Sequence, residues 1–290
     1  MMAPFVSIII PTYCDWHRLS LCLESLKLQT YPGDAFEIIV ANNNPADLPP
    51  LDYNTPENCI IITESKPGSY AARNAALKLA KGVIIGFTDS DCIADKNWIK
   101  NAVHIFGTDS EIDRIGGKIE IFYEKARPTK IELHDRIFAF RQESYVNGGY
   151  AVTGNMFTRK NVIDHIGMFN DTIMSGGDYL WGTLANNNGH KIVFSEDVII
   201  NHPARPTLQE LIKKERRVAK GQSTFIKRKD KNTLGMIREI INICKPRTWE
   251  IKRIFNVGKD LSLIDKLAVV SIRHYIIFVG RMSQVMKSKN

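Results

Sequence analysis

The sequence predicts an α/β fold: a mostly parallel central sheet flanked by helices, followed by a helical C-terminal extension. Three observations carry this. Short β-branched runs alternate with amphipathic stretches in the order strand, helix, strand, strand, helix, strand. The fourth run, Val83 to Phe87, leads straight into Asp89-Ser90-Asp91. Two carboxylates therefore stand at the C-terminal end of a buried strand, where open α/β sheets bind ligands. From Thr207 onward the chain reads as helical and basic.

The elements follow in order. Val6-Ser7-Ile8-Ile9-Ile10 is an apolar run closed by Pro11, hence a first strand. Leu19, Cys22, Leu23 and Leu26 recur at helical spacing. Tyr31-Pro32-Gly33-Asp34 is a turn. Ile38 to Val40 and Ile60 to Ile62 are further buried strands. Lys66-Pro67-Gly68 breaks the chain before a small-residue helix carrying Ala71, Ala72, Ala75, Ala76 and Leu79, which can approach a sheet closely. Beyond the acids, Trp98, Ala102 and Ile105 suit a short helix, Ile115 to Tyr123 a strand, and residues 129–144 a helix. Ser175-Gly176-Gly177-Asp178 opens another helix. Lys191 to Phe194 and Val198 to Ile200 read as two late strands before Asn201-His202-Pro203.

Composition bounds the rest. A chain of 290 residues, 44% hydrophobic and 24% charged, can bury a large core without disulfide staples. The five cysteines, Cys14, Cys22, Cys59, Cys92 and Cys244, include no CxxC pair, which favours a reducing compartment and argues against a zinc site. No apolar leader follows a charged start, so no secretory signal is expected. The net charge of +8 suits a phosphate-bearing ligand or an anionic lipid surface. No zinc finger or RNP pair points to nucleic acid. Lys213, Lys214, Arg216, Arg217, Lys220, Lys227, Arg228, Lys229 and Lys231 make the C-terminal region basic. Its apolar segment, Leu261 to Val279, carries Asp265, Lys266 and Arg273. That makes it a poor spanning helix, and leaves it either packed on the protein or lying in a membrane interface.

Several ordered pieces carry the chemistry: Val6 to Tyr13, Glu37-Ile38-Ile39-Val40, Gly68 with Ala72-Arg73-Asn74, Asp89-Ser90-Asp91, Gly154-Asn155-Met156, Gly167-Met168-Phe169, Gly177-Asp178 and His202. In this order and spacing, over about residues 5 to 222, the chain resembles the inverting nucleotide-sugar glycosyltransferases of family 2, which have the GT-A fold. The resemblance implies a glycosyltransferase domain over 1–222, with a nucleotide-binding half at 1–95 and an acceptor-side half at 96–222. Residues 223–290 would then be a basic helical extension.

The resemblance also assigns roles. Asp91 would ligate Mn²⁺ or Mg²⁺, and a divalent cation suits a departing diphosphate. Asp89 would sit nearer the ribose and reach the metal through water, with Ser90 between them. His202 would complete the metal site or touch the diphosphate. The bland alternative is that both acids cap the following helix or turn and that His202 has a structural role. Pro11, Thr12 and Tyr13 would lie along the base, and Arg73 would clamp the diphosphate through its planar fork. Asn42 and Asn43 stand where the family has an acid pair, the first of which contacts the nucleobase. Asp178 matches the family's base, although Gly177 replaces the Glu of the usual Glu-Asp pair. It also suits a helix N-cap. Trp181 suits either a sugar or the core.

Together these imply transfer of a single sugar from a nucleotide-diphospho-sugar, a UDP-sugar by family default, to a glycan or lipid-linked acceptor in surface polysaccharide synthesis. No QxxRW motif of the processive synthases occurs. The implied place is the cytoplasm, peripheral on the inner face of the membrane through the C-terminal segment. The rival readings are a nucleotide-sugar-binding protein without turnover and a sugar-phosphate nucleotidyltransferase. The latter predicts a Gly-rich basic loop after the first strand, where this chain has Pro11-Thr12-Tyr13-Cys14-Asp15.

Overall fold

The computed structural model describes residues 3–225 and 247–287, and the chain divides into two compact units. The first comprises Met1–Glu120 and Arg141–His202, the second Ile121–Phe140 and Pro203–Asn290. Cys244 and the basic residues Lys227, Arg228, Lys229 and Lys231 lie outside the described residues.

The strands are β1 (Val6–Thr12), β2 (Phe36–Asn42), β3 (Cys59–Thr63), β4 (Ile84–Thr88), β5 (Ile93–Ala94), β6 (Ile112–Phe122), β7 (Asn155–Arg159) and β8 (Lys191–Pro203). They form one sheet in the order β3-β2-β1-β4-β7-β6-β8-β5. β3, β2, β1 and β4 run parallel, as the apolar runs predict. From β4 outward the sheet is mixed, because β7 pairs antiparallel with both β4 and β6, and β5 antiparallel with β8. The parallel half aligns the C-terminal tips, so that Thr12 pairs with Asn42 and Asn42 with Thr63.

Every residue of β1 is buried, as befits a central strand covered on both faces. Val6, Ile8 and Ile10 pack with Leu19, Leu23 and Leu26 of α1 (Trp16–Lys27) and with Trp98 of α3 (Trp98–Thr108). α2 (Ser69–Leu77) lies against β1 and β2, and its buried Ala72 and Ala76 let the backbones approach. Gly86 in β4 is required by packing. A Cβ there would fall 2.6 Å from Cε1 of Phe157 and 2.7 Å from Cδ1 of Ile8.

Several local readings change. β3 is not a buried strand, because it is the edge of the sheet and leaves Ile60 48% exposed. β1 runs on through Pro11 to Thr12, and the two late strands are one, β8. The helical stretch over 129–144 is two helices, α4 (Lys130–Phe138) and α5 (Gln142–Asn147). β5 and α6 (Lys160–Ile166) had no sequence signal strong enough to announce them. α7 (Gly177–Asn187) begins where the Gly-Gly-Asp signal puts it, behind Gly176 in the left-handed region at φ 86°.

The second unit is helical: α4, α8 (Leu208–Phe225), α9 (Thr248–Val257) and α10 (Leu263–Lys287). Leu133, Ile137, Ile254 and Val269 form its core. Thr129 and Glu132 close a capping box on α4. Buried Asp135 accepts from Arg205, and buried Glu250 from Arg273. Between these ion pairs His134 is buried with no hydrogen-bond partner on either ring nitrogen. Burial, with Arg273 and Lys214 adding to it and Asp135 opposing, pushes its pKa down to about 3. Among the described residues no helix is long and apolar enough to cross a membrane.

Candidate active site

The tips of the parallel strands gather most of the predicted residues in the first unit. At the end of β1, Thr12 is 3% exposed and its Oγ1 has no hydrogen-bond partner. Such an orphan at a strand tip suits a ligand. Pro11 is buried beside it, and Tyr13 projects into solvent. Cys14 next turns the chain with φ 53°, a left-handed conformation rare outside glycine.

The asparagine pair is built into the loops. Asn42 is 1% exposed. Its amide donates to the carbonyls of Asn44 and Asp47 at 3.0 and 2.7 Å, and its Oδ1 accepts from the Asn44 N–H. Asn43 donates to Glu64 and Lys66 carbonyls and accepts from Gly68 N–H at 2.6 Å, fixing the entry to α2. Only a remaining lone pair of Asn42 Oδ1 is left for a base.

α2 aims Arg73 at the acids. Its guanidinium, 3% exposed, donates through Nη2 to Asp89 Oδ1 at 2.5 Å, while its buried Nε has no partner. Asp89, Ser90 and Asp91 form a tight turn closed by Cys92 N–H on the Asp89 carbonyl at 3.2 Å. Gly154 lies against this turn; a Cβ there would stand 3.3 Å from Asp89 Oδ2. Asp91 faces the other way, its Oδ2 3.6 Å from His202 Nε2 at the end of β8 and 3.8 Å from Arg18. Asp91, His202 and Cys92 each offer a ligand atom within 4.8 Å of one another. A carboxylate with an imidazole fits a divalent cation. Burial, with the Asp91 and Asp89 charges adding to it, pushes the Cys92 thiol well above its ordinary range, so it stays protonated. The structure thus joins Asp91 to His202 and turns Asp89 toward Arg73.

Asp178 opens α7, half-buried. Its Oδ1 accepts from Tyr70 Oη at 3.1 Å and from Tyr179 N–H at 3.0 Å. Its own N–H donates to Tyr70 Oη at 3.3 Å. Burial raises the carboxyl pKa, opposed by the Tyr179 N–H, the Arg73 charge and the Tyr70 hydroxyl. Tyr70 also explains the missing acid of the pair: a Cβ on Gly177 would fall 2.8 Å from Cε2 and Cζ of the Tyr70 ring. Glycine is the residue that lets this tyrosine lie there. Asn74, next but three on α2, donates to the Phe169 carbonyl and accepts its N–H, locking two of the ordered motifs together. Trp181 is a core residue, donating Nε1–H to the Gly167 carbonyl.

Sequence reasoning missed Tyr70 and Cys92. A tyrosine among alanines reads as packing, and a cysteine behind two acids reads as the start of the next element.

The family follows from comparison with known sequences. The model of the family described as "Glycosyl transferase family 2" matches residues 7–167, more than half of the chain. The chain belongs to glycosyl transferase family 2. This family 2 glycosyltransferase is 36% identical over 228 residues to Glycosyltransferase AglE of Haloferax volcanii, covering 76% of this chain and 73% of that one. It is 34% identical over 103 residues to the Escherichia coli UDP-Glc:alpha-D-GlcNAc-diphosphoundecaprenol beta-1,3-glucosyltransferase WfgD, covering 34% of this chain and 38% of WfgD. The mannosyltransferase PcManGT of Pyrobaculum calidifontis, solved with GDP-Man and Mn²⁺, superposes with a TM-score of 0.61 at 14% identity, covering 98% of this chain and 88% of that one. At that identity the likeness shows the fold, an α/β sheet of GT-A type.

Proposed function

We propose that this glycosyltransferase moves one sugar from a nucleotide-diphospho-sugar, a UDP-sugar by preference, to a hydroxyl of a glycan or lipid-linked acceptor, with inversion. The observation that carries the reading is Asp178, a single half-buried carboxylate at a helix start whose pKa is raised by burial and whose Oδ1 is held by Tyr70 and a backbone N–H. In one displacement the acceptor oxygen bonds to the anomeric carbon. The sugar–phosphate bond breaks on the opposite face, and its electron pair leaves with the diphosphate. Asp178 takes the hydroxyl proton.

Arg73 is the diphosphate clamp. It is pre-oriented by Asp89, and its orphan Nε is a donor in need of an acceptor. Thr12 Oγ1, with Pro11, Tyr13 and Asn42, borders the nucleoside side, and Ser90 the turn between the acids. Asp91 and His202 are the residues that would hold Mn²⁺ or Mg²⁺, with Asp89 behind them. When bound, such an ion neutralises charge on the leaving diphosphate. The UDP-Glc donor and diphosphoundecaprenol acceptor in WfgD's name, and the GDP-Man and Mn²⁺ of the PcManGT complex, support this chemistry. The same acceptor class supports a place in surface polysaccharide synthesis.

Contact with a bilayer belongs to the same reading. Leu263, Ile264, Leu267, Tyr275 and Phe278 of α10 are all exposed and recur at helical spacing, with Ile264 75% exposed. Lys266, over the Phe255 ring, and exposed Lys252 and Lys259 supply positive charge in the same unit. An apolar face with basic neighbours suits an anionic interface.

Calorimetry of the full chain with UDP-glucose, UDP-N-acetylglucosamine and GDP-mannose, each with and without MnCl₂, tests the donor side. One of them binds in a cation-dependent way, and Asp91→Ala weakens that binding by about tenfold or more, the scale of a lost charged ligand. Equal affinity with and without the cation in both proteins removes the metal from the proposal. Binding without diphosphate release identifies a nucleotide-sugar-binding protein without turnover.

A further inference from the structure

Beside Asp178 the first unit carries an aromatic cluster that the donor chemistry does not use. Tyr145 and Tyr150 stack with ring centroids 5.2 Å apart and planes 22° apart. Tyr179 meets Tyr150 edge-on at 5.0 Å. Arg141 covers the Tyr145 ring at 5.5 Å. None of the three tyrosines is fully buried, and Tyr179 is 47% exposed. Aromatic rings bury readily, so Tyr179, left at the surface beside two half-buried rings, is an available contact face.

The cluster is tied to the helix that carries the base. Tyr179 directly follows Asp178 and donates its N–H to the Asp178 carboxylate at 3.0 Å. Burial, with Tyr145 and then the Asp178 charge adding to it, raises the Tyr150 phenol pKa to about 12. Behind the rings, the fully buried Arg114 of β6 donates to the carbonyls of Gly149, Gly182 and His190 at 3.2, 3.0 and 2.8 Å. That clamp ties the loop bearing Tyr150 to α7. Gly182 completes the fit, since a Cβ there would fall 2.4 Å from Cβ of Tyr150. The backbone that carries Tyr150 is thereby fixed against the helix that carries Asp178.

We propose that Tyr179, backed by Tyr150 and Tyr145, forms the acceptor subsite, a stacking surface for the pyranose ring whose hydroxyl is presented to Asp178. This rests on Asp178 being the base. A base must lie within hydrogen-bond reach of the hydroxyl it deprotonates, so the acceptor ring has to sit within one sugar's width of Asp178. Tyr179 follows Asp178 in the chain and is exposed, and a pyranose offers an apolar face of C–H groups to an aromatic ring and hydroxyls at its rim. The nucleobase is the reaction's flat ligand, but the donor reading assigns it to the tip of β1, where the Thr12 hydroxyl has no partner.

Saturation-transfer NMR on the full chain, with methyl β-D-glucopyranoside and methyl N-acetyl-β-D-glucosaminide as probes, tests the subsite. The wild-type protein transfers saturation to the ring C–H protons of at least one glycoside. Tyr179→Ala weakens its affinity by about fivefold or more, as loss of an aromatic contact requires, and Tyr179→Phe retains it. No transfer in the wild-type protein, or transfer undiminished in Tyr179→Ala, overturns the proposal. UDP and GDP titrated with MnCl₂ into the same samples read the donor side separately. A protein that binds a nucleotide but no glycoside refutes this subsite alone, whereas one that binds neither nucleotide refutes the donor reading.

Discussion

Tyr70→Phe isolates one hydroxyl on which the account depends. The phenyl ring still fills the space against Gly177, so packing is kept. What is lost is the bond from Tyr70 Oη to Asp178 Oδ1 at 3.1 Å and the one it accepts from Asp178 N–H at 3.3 Å. A hydrogen bond to a charged group contributes roughly 1.5–3 kcal/mol, and the lower end suits a half-buried carboxylate. That bond favours the ionised form, so its loss raises the Asp178 pKa beyond the rise burial already causes. A base works only when ionised. The acid limb of the rate profile therefore moves to higher pH. Since about 1.4 kcal/mol is a factor of ten, the variant turns over roughly tenfold more slowly on the acid side and within about twofold of wild type on the alkaline plateau. The assay is nucleotide diphosphate release with saturating donor and acceptor, followed across the acid limb. Profiles that superimpose, or a drop that is uniform with pH, would refute the reasoning, because either would mean that Tyr70 acts on packing and not on the carboxylate.

Two further predictions concern the second unit. His134 is neutral when folded, its pKa pushed from 6.5 to about 3 by burial, whereas the unfolded chain protonates it below 6.5. The wild-type protein thus loses stability as pH falls through that window, by roughly 1–2 kcal/mol per unit. His134→Leu, which gives up no hydrogen bond, shifts the urea midpoint upward relative to wild type more at pH about 5.5 than at about 7.5; a shift independent of pH counts against it. Replacing Ile264 and Leu267 together with Asp reduces co-sedimentation with phosphatidylglycerol vesicles by about tenfold or more while leaving the fold intact, since both side chains are exposed. Equal partitioning of the two proteins would exclude a lipid role for that face.

Much of this architecture is visible in the sequence because its signals are local. β1, β2 and β4 are built on apolar, β-branched runs, α1 repeats leucines at helical spacing, and the acids follow β4 directly. What escaped is not local. β8 reads as two strands because exposed Glu196 and Asp197 interrupt its apolar pattern, and at that point Ser195 Oγ accepts the N–H groups of Asp197 and Val198. The antiparallel placement of β7 between β4 and β6 depends on long-range pairing that no run of residues announces. At the site, Asp91, Asp89, Arg73 and Asp178 stand out as charges at strand ends and helix starts. Of their partners, His202, singled out by the resemblance, reaches Asp91 from the end of β8, whereas Tyr70, which reaches Asp178 across 108 positions, carried no signal. The Gly177 that departs from the family's acid pair becomes intelligible only with the Tyr70 ring in place.

The most direct measurement compares wild type and Asp178→Asn for diphosphate release in the presence of acceptor, alongside donor affinity by calorimetry. The amide keeps the shape of the carboxylate and its bond from Tyr70 but cannot take a proton. The account predicts that kcat falls by about 10²–10⁴, the usual contribution of a general base, with donor affinity unchanged. Turnover within a few-fold of wild type would place the base elsewhere and contradict it.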